Sequence, residues 1–175
     1  MAEQFTIMAD CGHEPPRETA ISIAFRDVLE KLHAFIDAER DLEDVAYSSD
    51  PAYAAWAQEA ELAHENLAKA LIAVHSLPVE ILADRPLHRM ALVADAMIGH
   101  EEPGGARALN LQMQIAFFKK FQVSGISPTA MHRNGLLIRA RHLVSAMISL
   151  PLFDGAPVDD AHEDDAAAHE LRTVV

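Results

Sequence analysis

Residues 51–77 read PAYAAWAQEAELAHENLAKALIAVHSL, and their spacing decides the fold. Tyr53, Trp56, Ala60, Ala63, Leu67, Ala70, Val74 and Leu77 recur in steps of 3-4-3-4-3-4-3 without a break. Alternating steps of three and four lay one stripe along an α-helix of about 3.6 residues per turn. Upstream, Ile21, Phe25, Val28, Leu32, Phe35, Leu42 and Ala46 form a second stripe. Glu39 is its one polar break, and with it the steps run 4-3-4-3-4-3-4. Two seamed helices are therefore predicted, over about 18–46 and 51–77.

Between them, Tyr47-Ser48-Ser49-Asp50-Pro51 reads as a turn. Asp50 suits the N-cap, and Pro51 suits the first helical position, where a missing N–H costs nothing. Folding the chain back at 48–49 sets Phe35 opposite residue 62 and Val28 opposite residue 69. Bulky Phe35, Leu32 and Val28 then meet small Ala60, Ala63 and Ala70, which lets an antiparallel pair pack closely.

The remaining helices follow from their breakers. Leu77-Pro78 ends the second helix, and Asp84 is positioned to cap a third, running to about Ile98. It carries Leu87, Met90, Ala91, Ala94, Met97 and Ile98 on one face. After a break at 99–105, a fourth helix over about 106–123 is apolar nearly all round, with Leu109, Leu111, Met113, Ile115, Phe117, Phe118 and Phe121. Such a helix is expected to be central or to sit at an interface. Ser127 and Pro128 open a fifth helix that Pro151 stops, with Leu136, Leu137, Ala140, Leu143, Val144 and Met147 inward. The expected fold is all-α: about five helices built on a long antiparallel hairpin. Residues 1–17 read as an irregular arm, 18–150 as one helical-bundle domain and 151–175 as an acidic, alanine-rich mobile tail.

Composition bounds the function. Half of the 175 residues are apolar, enough for a sizeable core. No stretch free of Asp, Glu, Lys and Arg exceeds twelve residues, whereas a membrane helix needs about twenty apolar ones. Residues 1–16 lack the pattern of a signal peptide, and Cys11, the single cysteine, fits a reducing compartment, so a cytoplasmic location is expected. The net charge of −13 is unevenly spread. Residues 1–84 hold seventeen acids and five bases, 85–150 hold three acids and eight bases, and 151–175 hold seven acids and one base. This points to an acidic and a basic layer facing each other, or to a basic surface for an anionic partner.

Three function classes compete. The first is a non-enzymatic protein–protein interaction module, an adaptor, regulator or accessory scaffold that self-associates as a homodimer. Its surface would be the fourth helix, with Phe117 and Phe121 as apolar anchors and Asn110 and Gln114 as polar contacts across a symmetric interface. The second is a nucleic-acid-associated regulator using Lys119, Lys120, Arg133, Arg139 and Arg141. Residues 125–133, GISPTAMHR, resemble the turn and recognition helix of a helix-turn-helix. The surroundings disagree: Phe121 stands where a small residue lets two helices cross, Ser124 where an apolar residue should pack, and Asn134 where an apolar anchor belongs. The third class is a metal- or ligand-binding bundle. Glu30-x-x-His33 and Glu61-x-x-His64 have the spacing of ferritin-like di-metal helices, but Glu30 and Glu61 point away from the seams. No nucleophile–base set can be assembled from spacing, and no cofactor is expected.

Overall fold

The computed structural model describes residues 15–43, 51–102 and 104–153. Every regular element among them is helical. Helix α1 spans Ala20–Glu43 and α2 Pro51–Ser76; a short 3-10 turn at Leu82–Asp84 leads into α3, Arg85–Ile98. Helix α4 spans Gly105–Lys120, α5 spans Pro128–Ile148, and a second 3-10 turn covers Pro151–Phe153. The chain is an all-α bundle of five helices in these residues. No helix among them is long and apolar enough to cross a membrane.

The hairpin is the broadest packing surface in the bundle. Ile21, Phe25, Val28, Leu32 and Phe35 are buried as the α1 stripe predicts, and Leu29 and Ile36 widen it. From α2, Ala60, Leu67, Ala70, Leu71 and Val74 are buried, while Ala63 and Leu77 pack partly buried against the core. The Phe35 ring lies against His64 with centroids 5.6 Å apart, so the register is close to that read from the turn. Trp56 is the exception in the seam, being 37% exposed. Ala46 and the 47–50 turn, with the Asp50 cap, lie outside the described residues.

Helix α1 opens on a reciprocal cap that spacing alone did not pick out. The Thr19 N–H donates to Ser22 Oγ at 2.9 Å and the Ser22 N–H donates to Thr19 Oγ1 at 3.2 Å. Two N–H groups left over at the helix start are thereby satisfied. Helix α5 begins as expected, with Ser127 Oγ accepting from the Ala130 N–H at 3.2 Å and Pro128 at the first position.

Asp84 departs from its expected role. It sits at the α3 N-cap but makes no side-chain cap bond. Its carboxylate instead takes the Arg133 Nε–H at 2.8 Å, with both side chains fully buried. Arg133 Nη2 also donates to the Arg17 carbonyl at 2.7 Å and to Thr19 Oγ1 at 3.3 Å. The Arg17 N–H meets Thr129 Oγ1 at 2.9 Å. One guanidinium thus ties together the chain leading into α1, the start of α3 and the first turns of α5. The bundle also extends past Pro151, since Phe153 in the final 3-10 turn is buried.

Helix α4 is not central. It packs chiefly on α3 and α5, at one side of the bundle. It stops at Lys120 rather than 123, where Arg89 Nη1 donates to the Lys120 carbonyl at 2.8 Å. The following turn is held by Asn134, whose side-chain amide pairs with both the N–H (2.8 Å) and the carbonyl (2.9 Å) of Val123. Gly104 (φ +75°) before α4 and Gly125 (φ +101°) after it occupy backbone conformations that favour glycine.

Two outcomes follow. Ala63→Leu forces three extra carbons into the α1–α2 seam and lowers stability by about 1–3 kcal/mol in chemical denaturation; a variant as stable as the parent contradicts the size-matched seam. The second concerns pH. Arg133 Nη1 lies 2.7 Å from His132 Nδ1, and a guanidinium can only donate, so the ring accepts and is neutral. Burial, then the charges of Arg133 and Arg26, hold the His132 pKa below its ordinary value. As pH falls through the ordinary histidine range, the unfolded chain therefore takes up a proton that the folded chain does not. Stability drops in that window, and His132→Gln flattens the drop. Equal pH slopes for parent and variant would contradict this.

Candidate functional site: the outer face of helix α4

Helix α4 carries apolar residues at nearly every angle, and its two neighbours cover only one side. Met113, Phe117 and Phe121 turn inward and are buried, Phe117 completely (0% exposed). Leu111, Ile115 and Phe118 turn outward and remain 61%, 78% and 65% exposed. Their spacing of four and three places them in one row about 10 Å long at ~1.5 Å per residue. Three adjacent apolar side chains on a peripheral helix form a patch, whereas exposed apolar residues scattered singly are ordinary.

This corrects the anchors expected from the sequence. Phe117 and Phe121 stack on each other with centroids 6.1 Å apart inside the chain's own core, so neither is offered to a partner. The aromatic side chain that is offered is the adjacent Phe118. Asn110 and Gln114 are likewise engaged within the chain. Gln114 Nε2 donates to Ser145 Oγ at 2.6 Å and to Asn110 Oδ1 at 3.4 Å, and Gln114 Oε1 accepts from Arg141 Nε. The bonds to Ser145 and Arg141 fasten α4 to α5.

The patch has a basic frame. Lys119 and Lys120 are exposed at the C-terminal end of α4, and Arg139 is exposed on α5. The Arg141 guanidinium sits 4.9 Å from the Phe117 ring centroid and 5.3 Å from that of Phe118, between the buried and the exposed ring. A cation held over two aromatic faces stiffens the base of the patch. At the other end, Glu101 and Glu102 stand exposed just ahead of α4.

The five cations of the nucleic-acid alternative do not form one surface. Arg133 is fully buried against Asp84, and Arg141 is engaged with Gln114 and two rings, leaving Lys119, Lys120 and Arg139 in solvent. Asn134, which occupies the apolar anchor position of a helix-turn-helix, spends its amide on the Val123 backbone instead.

The two histidines of the metal alternative are also separated in role. His33 pairs with Asp37 at 2.6 Å on the outer surface of α1, while the His64 ring lies tilted against Phe35. No group of three or more His, Cys, Asp or Glu side chains among the described residues could hold a metal ion.

Apolar spacing alone does not separate Phe117 from Phe118, because an apolar helix has no polar face to set its rotation. The signal that could have done so is the polar ladder Gln114, Arg141 and Ser145, whose members can bond only if they share the α4–α5 contact. Compared with protein-family profiles, curated proteins and solved structures, the chain has no significant match to any of them.

Proposed function

We propose that the chain is a helical protein–protein interaction module that self-associates through the outer face of α4. The single observation that carries this reading is the exposed row Leu111, Ile115 and Phe118 on a helix whose inner face is already satisfied. Removing such side chains from water stabilises an assembly by about 1.5–3 kcal/mol each when burial is complete.

A second copy is favoured as the partner because the row can cover itself. In an antiparallel pair of α4 helices related by a two-fold axis, the exposed Leu111–Phe118 row meets its own copy, so that each row is covered by the other. A two-fold axis uses the same face of both copies, which closes the assembly at a dimer. The role is that of an adaptor, regulator or scaffold, with the dimer as the working unit. Lys119, Lys120 and Arg139 make a nucleic-acid role the weaker reading, since the chain as a whole carries a net charge of −13 that repels a polyanion.

Sedimentation of the parent over a range of concentrations, beside Ile115→Asp/Phe118→Asp, tests this. The parent is expected to pass from monomer to dimer as concentration rises, and the variant to stay monomeric with its helical content and melting temperature retained. Exposed positions ordinarily tolerate substitution to within about 0.5 kcal/mol. A parent that sediments as a monomer throughout contradicts self-association. A variant that dimerises like the parent assigns the interface to another face.

A further inference from the structure

A second feature lies on the hairpin, away from α4. Glu39 occupies a seam position of α1, where the stripe calls for an apolar residue. The structure shows what surrounds it. Phe35 and Glu39 of α1, Glu61 and His64 of α2, Ile98 at the end of α3 and Phe153 of the final 3-10 turn line a common pocket of about 360 Å³. That volume lies within the range of small-molecule sites, about 300–1,000 Å³.

The lining is apolar apart from two carboxylates and one imidazole. Burial raises the Glu39 carboxyl above its ordinary pKa, His64 pulls it back, and Glu43 pushes it further up. A carboxylate partly withdrawn from water gains from a positive charge beside it. Among the described residues no hydrogen bond or ion pair holds the Glu39 side chain. An anion would meet Glu39 and Glu61 together and be repelled. A metal ion lacks a convergent set of three ligands here.

We propose that this pocket binds a small organic ammonium: an aliphatic or aromatic body held by Phe35, Ile98 and Phe153, with its charged nitrogen on Glu39 and Glu61. The two E-x-x-H strings then have different fates. Glu61 and His64 belong to a ligand pocket, and Glu30 and His33 lie on the outer surface of α1.

The experiment is calorimetric titration of the full chain with n-octylamine, n-octanol and octanoate at neutral pH, below micelle-forming concentrations. Octylamine is expected to bind saturably and more tightly than octanol, and octanoate least of all. In Glu39→Gln/Glu61→Gln the octylamine affinity falls by about tenfold or more, as expected for losing a partly desolvated charge partner. Octanol affinity is expected to stay within about twofold, which shows that the apolar pocket survives. Ala57→Trp, which fills the pocket from α2, abolishes binding of both. Absence of saturable octylamine binding to the parent overturns the proposal. So does octanoate binding as tightly as octylamine, or amine affinity unchanged when both carboxylates are removed.

Discussion

The ion pair between Arg133 and Asp84 is the constraint around which the bundle is arranged. Both side chains are fully shielded from water, and a charge in that position is tolerated only with its partner and its hydrogen bonds in place. Arg133 has four acceptors within reach: Asp84 Oδ1, the Arg17 carbonyl, Thr19 Oγ1 and His132 Nδ1. These come from three separate places along the chain. The lead-in to α1, the entry to α3 and the start of α5 must therefore assemble together before the guanidinium is satisfied. Asp84 Oδ2 is buried and has no hydrogen-bond partner among the described residues, so the carboxylate depends all the more on Arg133.

Helix α4 stands outside this arrangement. Three local devices hold it: Arg89 on the Lys120 carbonyl, Asn134 on Val123, and the Gln114–Arg141–Ser145 ladder. Because the scaffold is complete without its outer face, that face is free to carry apolar residues whose burial the monomer does not need. Leu111, Ile115 and Phe118 form an exposed apolar row, and this is the physical basis for proposing them as an interface.

Much of the fold was legible in the sequence, because helical spacing and turn chemistry are local properties. The α2 stripe, the size-matched α1 stripe, the Ser127–Pro128 start and the Gly99–Gly105 break all follow from residues within a few positions of each other. The Arg133–Asp84 pair was not legible. An aspartate before a helix is ordinarily a cap, and an arginine in a polar run is ordinarily on the surface. The bond between them spans forty-nine positions and leaves no local mark. For the same reason Arg133 reads as a nucleic-acid contact until the fold buries it. On α4, helical angle alone cannot choose between Phe117 and Phe118, since no polar face sets the rotation. Glu39 was visible as a break in the α1 stripe, and Glu61-x-x-His64 as a motif. Their convergence depends on Ile98 and Phe153, which lie far along the chain and close the pocket only in three dimensions.

The claim that Arg133 and Asp84 organise the bundle is tested most directly by a double-mutant cycle, with chemical denaturation of Arg133→Met, Asp84→Leu and the two combined. Each single substitution strands one buried charge and is predicted to cost about 3–5 kcal/mol. The double variant, which removes both charges, is predicted to lose much less than the two costs added together. Single variants that each cost under about 1 kcal/mol and add without interaction would contradict the account.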